Sequence, residues 1–482
     1  MPMPSALLIS TYELGHQPFG LASPAAWLRA DGIETRLLDL AKDPLDESAV
    51  RSARLIAFHL PMHTATRLAA PVIKKARAAN PGARICAYGL YASLNAGWLR
   101  SIGVDDVLGG EFEAELAAIA RQACGAEMAG PRTDLAGLKT RATDSAGLKP
   151  HPPSGNLPRL RFLVPDRAGL PPLERYSTLR LADGTRRVVG YTEASRGCRH
   201  LCRHCPVVPV YNGQFRVVSS DVVLADIAAQ VASGAEHITF GDPDFFNGPT
   251  HALRIVEALH VAHPALTYDV TVKVEHLLQH RDLLPTLRHT GCLFVTSAVE
   301  SIDDRVLALL DKGHTRRDFL DVVSLCRDAG VTLQPTFVAF HPWTTIESYC
   351  ELLDIIEGLD LVDHVAPIQL AIRLLVPEGS RLLDVEALRV LVDAFDPTTL
   401  TYRWVHVDPR VDVLQRDVAA IVGRRLVSDR RVVFDEISAV AHERAGLPRV
   451  APRASSERAF VPYRDEPWYC CAEPNPEQLT LV

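Results

Sequence analysis

The sequence contains no apolar run of about 18 residues, the length that a membrane-spanning helix needs. Its start, MPMPSALLISTYELG, also lacks the charged segment and the longer apolar stretch of a secretory signal. Lysine and arginine number 51 against 58 aspartates and glutamates, and the basic residues are scattered rather than arranged in a stripe. These absences predict a cytoplasmic protein with neither a membrane nor a nucleic acid as partner.

The composition is that of a globular chain with a sizeable core, since 47% of its 482 residues are hydrophobic and 23% are charged. The length predicts two or three domains. Its ten cysteines are not expected to form disulfides in a reducing compartment, so clustered cysteines indicate metal or redox chemistry. Five isolated cysteines in apolar surroundings are interpreted as small core side chains: Cys86, Cys124, Cys292, Cys326 and Cys350.

Three cysteines, Cys198, Cys202 and Cys205, are spaced so that one short loop can bring their thiolates to a single cluster. A four-iron cluster normally takes four thiolates, so three ligands leave one iron open to bind something else. A zinc knuckle is the competing interpretation, because Cys202 and Cys205 form a C-x-x-C pair with histidines between the cysteines. No second knuckle follows at a suitable spacing, and this favours the cluster.

The Cys-x3-Cys-x2-Cys pattern resembles the signature of the radical S-adenosylmethionine (radical SAM) superfamily. The resemblance implies a [4Fe–4S] cluster whose open iron binds SAM, and an electron that cleaves SAM to methionine and a 5′-deoxyadenosyl radical. It also implies an electron donor such as flavodoxin or ferredoxin. We therefore expect SAM and the cluster as cofactors.

Residues 1–125 alternate short apolar runs with helical patterns, which predicts a doubly wound α/β domain. Its segment AYGLYASLNAGWLRSIGVDDVLGGEFEAEL resembles the cobalamin-binding-type domain that precedes many radical SAM barrels. The histidine motif of such domains, Asp-x-His-x-x-Gly, is incomplete: His16 is present, but the aspartate is absent and the glycine is displaced. Two interpretations stay open, namely cobalamin bound without a histidine ligand and a domain that only packs on the barrel. Residues 126–187, rich in proline and glycine, are predicted to be a linker.

Residues 188–396 are predicted to form a partial (βα)6 TIM-type barrel, the architecture that the resemblance implies. Six strand-like runs alternate with helical patterns here, and functional groups of such barrels lie at the carboxyl ends of the strands. The predicted strands are 188–193, 237–240, 267–274, 293–299, 332–339 and 364–372.

Several polar residues at these strand ends are candidates for SAM binding. By resemblance, Gly241, Asp242 and Asp244 occupy the place of a Gly-Gly-Glu-like stretch that meets the SAM amino group, and Glu300 the place of a ribose-binding carboxylate. Lys273 ends the third predicted strand. The candidates for the SAM carboxylate are Lys312, His314, Arg316 and Arg373. Arg373 is the preferred anion ligand because a guanidinium can bind a carboxylate through two hydrogen bonds.

The remaining chain is predicted to be a helical and loop extension, 397–459, and a tail, 460–482, with adjacent cysteines Cys470 and Cys471. Exposed vicinal thiols are unusual in the cytoplasm unless they react. The sequence Cys-Cys-Ala-Glu-Pro resembles the motif of the CUAEP/CCAEP-tail radical SAM proteins, some of which carry selenocysteine at the second position. The resemblance implies that the second position, Cys471, is reactive. Two hypotheses stay open for the dithiol: it binds a soft electrophile such as a trivalent arsenic or selenium species, or it relays sulfur or reducing equivalents.

Together these features predict a radical SAM enzyme that acts on a small molecule with the help of the tail dithiol. A cobalamin-dependent radical SAM methyltransferase is one alternative, and a non-enzymatic metal or metalloid binding protein is another. A transfer-RNA methylthiotransferase is less favoured, because the chain is acidic and shows no basic terminal RNA-binding domain.

Overall fold

The computed structural model describes residues 5–125, 160–181, 183–425, 428–449, 461–466 and 473. No helix within those ranges is both long and apolar enough to span a membrane. The described chain forms two α/β units, each built on a largely parallel sheet.

The first unit is a five-stranded parallel sheet in the order β2-β1-β3-β4-β5. Its strands are β1 (Ser5–Ser10), β2 (Glu34–Asp39), β3 (Leu55–His59), β4 (Arg84–Tyr88) and β5 (Asp106–Leu108). Its helices are α1 (Phe19–Ala30), α2 (Glu47–Ser52), α3 (His63–Ala79), α4 (Leu90–Leu94), α5 (Ala96–Ser101) and α6 (Glu113–Cys124).

Both faces of this first sheet are buried. Leu7 and Ile9 of β1 pack into one hydrophobic core, and Ala6 and Leu8 pack into another on the opposite face. This alternation follows from the two-residue period of a strand that is covered by helices on both sides. The predicted doubly wound domain is confirmed, and the strand order reverses between β1 and β3, where such sheets bind ligands.

The second unit contains a curled half-barrel sheet in the order β13-β12-β11-β10-β7-β6-β16. Strands β7 and β10 to β13 run parallel, and β6 and β16 add an antiparallel edge. The strands of this sheet are β6 (Thr178–Arg180), β7 (Arg186–Thr192), β10 (His237–Phe240), β11 (Thr267–Thr271), β12 (Cys292–Glu300), β13 (Thr332–Phe337) and β16 (Tyr463–Arg464). Two separate two-stranded sheets pair β8 (Ser195–Gly197) with β9 (Phe215–Val217) and β14 (Val392–Asp396) with β15 (Thr401–Trp404).

Helices cover the outer face of this half-barrel and form most of its C-terminal part. They are α7 (Val207–Tyr211), α8 (Ser220–Ala232), α9 (Pro249–Ala262), α10 (Val274–Gln279), α11 (Leu284–His289), α12 (Asp304–Leu310), α13 (Arg316–Asp328), α14 (Ile346–Gly358), α15 (Glu386–Arg389), α16 (Pro409–Arg424) and α17 (Arg430–Ala445). The partial-barrel fold class is therefore confirmed.

The sixth predicted strand, 364–372, is wrong. The chain forms short 3-10 turns at Val362–His364 and Pro367–Leu370, and only an isolated bridge joins Phe340 to Arg373. Pro367 has no backbone N–H and so cannot donate to the hydrogen-bond ladder of a sheet. The side chain of Gln369 accepts the hydrogen bond from Phe337 N that a neighbouring strand would otherwise accept.

Two predicted helices are also divided. The segment 274–289 breaks into α10, a 3-10 turn and α11, because Pro285 is tolerated only at a helix start. The segment 386–395 is helical only in α15 and then becomes β14, which pairs with β15. Val392 and Phe395 suit that strand, since branched and aromatic side chains pack well on a pleated sheet.

The described part of the predicted linker connects the two units. Arg167 donates to Gln17 of the first unit and to both carboxylate oxygens of Asp226 in α8. Strand β6 also lies inside the predicted linker, where it forms a hairpin with β7 across Asp183 and Gly184. Asp-Gly is a strong hairpin signal, so the second sheet begins earlier than the composition indicates.

Candidate active site

A cavity of about 590 Å³ lies between the two units, at the carboxyl ends of their parallel strands. The first unit lines it with residues that follow β1, β3, β4 and β5, and the second with the ends of β7, β10, β11 and β12. Its polar lining includes Glu13, His16, His59, Arg196, His204, Cys205, Asp242, Glu300, Arg464 and Glu466. Both folds bind ligands at this edge of their sheets.

The three clustered cysteines lie on the cysteine loop, residues 197–207, between β8 and α7. Cys198 and Cys202 are buried, whereas Cys205 is partly exposed and lines the cavity. The loop starts at Gly197, whose φ of +76° favours glycine and where a side chain would overlap the backbone of residue 214. Local geometry therefore requires glycine directly before the first cysteine.

The thiol groups interact with one another and with backbone donors. Burial, followed by the charge of Cys202, raises the pKa of Cys205 to about 12. The backbone N–H groups of His200 and Val207 donate to Cys198 and Cys205 and favour the thiolate forms. Three cysteine sulfurs with N–H donors fit the chemistry of an iron–sulfur cluster, and the ligand assignment itself stays a prediction.

Glu300, at the end of β12, lies in the cavity wall between two basic side chains. Its carboxylate lies 3.1 Å from His204 Nε2 and 3.5 Å from Lys312 Nζ. Burial alone would raise the pKa of Glu300, but Lys312 and His204 lower it to about 2. The residue also has a φ of +70°, a conformation that costs roughly 1–3 kcal/mol for a side chain other than glycine. Glu300, the predicted ribose ligand, therefore contacts the cysteine loop through His204.

Asp242 supports the strand that leads into the cysteine loop. Its carboxylate accepts from Ala194 N at 2.9 Å and from Ser195 Oγ at 2.5 Å, and burial raises its pKa to about 7. At the neighbouring Gly241, a Cβ would overlap the phenol oxygen of Tyr191. Both residues line the cavity, and their predicted contact with SAM stays a prediction.

Asp244 and Lys273 lie behind this wall rather than in it. Asp244 is fully buried, and its Oδ2 lies 2.7 Å from His276 Nδ1 and 3.5 Å from His200 Nε2. Burial alone would raise the pKa of Asp244, but the two histidines lower it. Lys273 is buried, and its Nζ lies 3.5 Å from Glu275 Oε2.

Two candidates for the SAM carboxylate lie close to Glu300 without lining the main cavity. Arg316 borders a neighbouring depression of about 240 Å³ that shares Glu300 as a wall, and it forms an exposed 2.6 Å ion pair with Glu351. His314 is buried, and burial followed by Lys312 lowers its pKa to about 4. Their roles in SAM binding stay predictions.

Arg373 is occupied elsewhere. Its guanidinium donates to Asp412 at 2.6 Å and to the Trp404 carbonyl at 2.6 Å, and it stacks 3.5 Å from the Trp404 ring centroid. It does not line the described cavity wall. These contacts give Arg373 a packing role, and its proposed anion contact stays untested.

A network around Arg196 was not predicted from the sequence. Arg196 Nη1 lies 2.6 Å from Glu113 and 3.9 Å from Glu111 of the first unit, and its Nε lies 2.6 Å from Glu193. Burial raises the pKa of Glu111 to about 7. A charged pattern along the sequence cannot reveal this pairing, because the partners come from different units.

The first-unit side of the cavity presents buried polar atoms to a ligand. Glu13 Oε2 and His59 Nδ1 are buried, lie 3.4 Å apart and have no hydrogen-bond partner in the described chain. His16 also lines the cavity, but its ring packs 4.5 Å from that of Tyr191 and contacts the Arg464 guanidinium. Buried polar atoms without a hydrogen bond fit a polar ligand such as cobalamin, whereas His16 already has partners.

The described parts of the tail contact the first unit. Glu466 accepts from the Tyr12 hydroxyl at 2.9 Å. Glu473 lies 3.1 Å from His63 Nε2 and 2.6 Å from Arg67 Nη1. The predicted dithiol, Cys470 and Cys471, lies outside the described residues.

Two family models match the chain: the radical SAM superfamily over residues 192–357 and the B12 binding domain over residues 6–120. A tRNA-2-methylthio-N(6)-dimethylallyladenosine synthase of Prosthecochloris aestuarii is 25% identical over 178 residues, covering 35% of this chain and 40% of that protein. The hopanoid C-3 methylase of Methylococcus capsulatus is 25% identical over 351 residues, covering 70% of this chain and 64% of that protein. The chain thus spans 40% of the length of that synthase.

Solved structures resemble the fold over most of the chain. The cobalamin-dependent S-adenosylmethionine radical enzyme OxsB, with aqua-cobalamin bound, matches with a TM-score of 0.68 at 13% identity, covering 92% of this chain and 72% of that chain. The radical S-adenosylmethionine methyltransferase TsrM from Kitasatospora setae matches with a TM-score of 0.62 at 17% identity, covering 86% of this chain and 88% of that chain. At such identities the likeness concerns the fold.

Proposed function

We propose that this chain, which belongs to the radical SAM superfamily and also carries a B12-binding domain, is a cobalamin-dependent radical SAM enzyme acting on a small molecule. One observation carries the proposal: strand ends of the B12-binding domain line the same cavity as Cys205 and Glu300. Joint chemistry requires two cofactors to approach one substrate closely, and a shared cavity allows that approach.

In this proposal Cys198, Cys202 and Cys205 hold the iron–sulfur cluster, and SAM occupies the adjoining cavity. When bound, the cluster supplies the electron that cleaves SAM reductively. The buried Lys312 ammonium offsets the negative charge of nearby thiolates. Glu300, kept ionised by Lys312 and His204, is the acceptor for a ribose hydroxyl of SAM.

Cobalamin would occupy the side of the cavity formed by the first unit. When bound, it supplies a carrier for methyl groups, and the hopanoid C-3 methylase and TsrM are methyl-transferring proteins by name. Methyl transfer is therefore the reaction class that we favour. Because His16 is held by Tyr191 and Arg464, we expect cobalamin to bind without His16 as a cobalt ligand.

The tail dithiol, Cys470 and Cys471, is proposed to act with this site as a reductant or as a ligand for a soft substrate atom such as arsenic, selenium or sulfur. Support comes from Glu473 of the same five-residue motif, which pairs with His63 and Arg67 of the first unit. His63 follows directly on Met62, which lines the cavity. An external electron donor such as flavodoxin or ferredoxin completes the proposal.

The test is anaerobic reconstitution with iron, sulfide and hydroxocobalamin, followed by SAM and dithionite and mass spectrometry of the products. We expect 5′-deoxyadenosine or S-adenosylhomocysteine from the wild type and from Cys326→Ala, since Cys326 is a buried core thiol of α13 that does not line the cavity. Cys202→Ala should give neither product. Equal product formation by Cys202→Ala, or bound cluster and cobalamin without any SAM cleavage, would contradict the proposal.

A further inference from the structure

Three side chains with metal-ligand chemistry meet behind the cavity wall: His200, Asp244 and His276. They come from the cysteine loop, from the segment after β10 and from α10 after β11. Their Nε2, Oδ2 and Nδ1 atoms all lie within 4.8 Å of one another. Asp244 is 0% exposed, His276 is 8% exposed, and His200 is half-buried. The cluster is therefore largely shielded from water.

The three converging atoms contact one another at ion-pair distances of 2.7 Å and 3.5 Å, but none of them makes a well-directed hydrogen bond within the described chain. Buried polar atoms normally find a partner, because leaving one unpaired costs about 1–3 kcal/mol. Here a carboxylate oxygen and two imidazole nitrogens point at one another without a well-directed hydrogen bond. A cation between them would satisfy all three atoms at once.

Asp244 and His200 also make contacts through the oxygen and nitrogen atoms that face away from the cluster. In metal sites such contacts orient the ligands. The second oxygen of Asp244, Oδ1, accepts from Phe246 N at 3.0 Å, so that Oδ2 faces the two imidazoles. The second nitrogen of His200, Nδ1, lies 3.6 Å from Glu275 Oε2. Metal-bound histidines commonly pair their other nitrogen with a carboxylate in this manner.

The spacing suits a small transition metal. Zinc ligands lie at about 2.0–2.2 Å, and tetrahedral angles then separate neighbouring ligand atoms by roughly 3.3–3.5 Å. The 3.5 Å between His200 Nε2 and Asp244 Oδ2 matches this separation. The 2.7 Å between His276 Nδ1 and Asp244 Oδ2 would open by roughly 0.7 Å on binding. Imidazole with carboxylate favours zinc or iron over the hard ions calcium and magnesium.

We propose that His200, Asp244 and His276 bind one divalent transition metal ion of the Zn²⁺ type, separate from the iron–sulfur cluster. Three protein ligands leave a fourth position for water. Since His200 lies between Cys198 and Cys202, the ion ties the cysteine loop to the ends of β10 and β11. It thereby holds the thiols in position for the cluster.

The test uses the full chain with Cys198, Cys202, Cys205, Cys470 and Cys471 all changed to alanine, which removes the competing thiols. Zn²⁺ is titrated by calorimetry, and bound zinc is counted after desalting. We expect one equivalent in this parent and at least a tenfold weaker affinity in Asp244→Asn and in His276→Gln. His280→Gln is the matched control, because His280 lies 5.7 Å from the His276 ring but outside the three-ligand set, and it should bind as the parent does.

Co²⁺ gives a second measurement that does not depend on the variants folding. Its absorption in the alanine parent should indicate nitrogen and oxygen ligands. In the reconstituted wild type, metal analysis should find one zinc beyond the four cluster irons. A parent that binds no zinc, equal binding by Asp244→Asn and His276→Gln, or sulfur-type Co²⁺ absorption in the parent would overturn the proposal.

Discussion

The substitution Arg196→Met should strongly destabilise the interface between the two units. The guanidinium lies within 2.6 Å of carboxylates of Glu113 and Glu193 and 3.9 Å from Glu111, and all of these groups are buried or nearly so. Removing one partner from a buried ion pair costs about 3–5 kcal/mol, because it leaves the opposite charge uncompensated. In this network three carboxylates would lose the same cation.

The substitution by methionine removes the positive charge of Arg196 but keeps most of the packing of its side chain. The Arg196 side chain lies against the rings of Phe19, Phe112 and Phe162, at 5.0–5.7 Å from their centroids. An unbranched apolar side chain keeps most of those contacts. The loss should therefore be mainly electrostatic. It should be smaller at pH 6 than at pH 8, because burial raises the pKa of Glu111 to about 7 and its protonation at pH 6 removes part of the repulsion.

Thermal unfolding of the cofactor-free chain at both pH values measures this effect. At roughly 2–4 °C per kcal/mol for a domain of this size, Arg196→Met should lower the midpoint by about 6–20 °C. Arg317→Met is the control, since Arg317 is 81% exposed and its pair with Asp321 is worth about 0.3–0.5 kcal/mol. A midpoint shift no larger than that of Arg317→Met, or a larger shift at pH 6 than at pH 8, would refute the reasoning.

Three further predictions use single sites. Burial raises the pKa of Glu111 from 4.5 to about 7, so its contribution to the free energy of unfolding is full below pH 4.5 and is lost as the pH rises through 7. In denaturant titrations at pH 5 and pH 8, Glu111→Gln should therefore reduce the fall in the free energy of unfolding between the two pH values by up to ~3 kcal/mol. The same fall in the wild type and the variant would contradict this prediction. Gly241→Ala should perturb the cavity wall by overlap with Tyr191, so it should lower the unfolding midpoint less in a Tyr191→Ala background than in the wild type; equal effects in the two backgrounds would argue against the overlap. His16→Ala should keep cobalamin affinity within severalfold, measured by equilibrium dialysis, and a loss of a hundredfold or more would make His16 a ligand.

The features that the sequence predicted well are local or periodic. Cys198, Cys202 and Cys205 are close in sequence, so they lie on one loop and near one another whatever the rest of the fold is. The alternation of strands and helices likewise predicts the doubly wound unit, because β1 and β3 are buried on both faces. Glu300 was correctly expected at a strand end, although its left-handed backbone was not.

The features that the sequence could not predict depend on contacts between distant segments. Arg196 meets Glu113 across the two units, and Asp244 meets His276 from the next strand end. No periodic pattern encodes such pairs, since each residue taken alone resembles an ordinary surface charge or loop histidine. The error at 364–372 has the same origin, because the Gln369 side chain accepts from Phe337 N in place of a strand backbone, a contact between residues 32 positions apart.

The most direct test of the shared cavity is electron paramagnetic resonance of the protein loaded with both the iron–sulfur cluster and cob(II)alamin. Both cofactors in one cavity predict that reduction of the cluster broadens or splits the cob(II)alamin signal, and that Cys202→Ala abolishes this change. A cob(II)alamin signal that is identical with oxidised and reduced cluster would mean that the two cofactors lie apart, and it would contradict the proposed joint site.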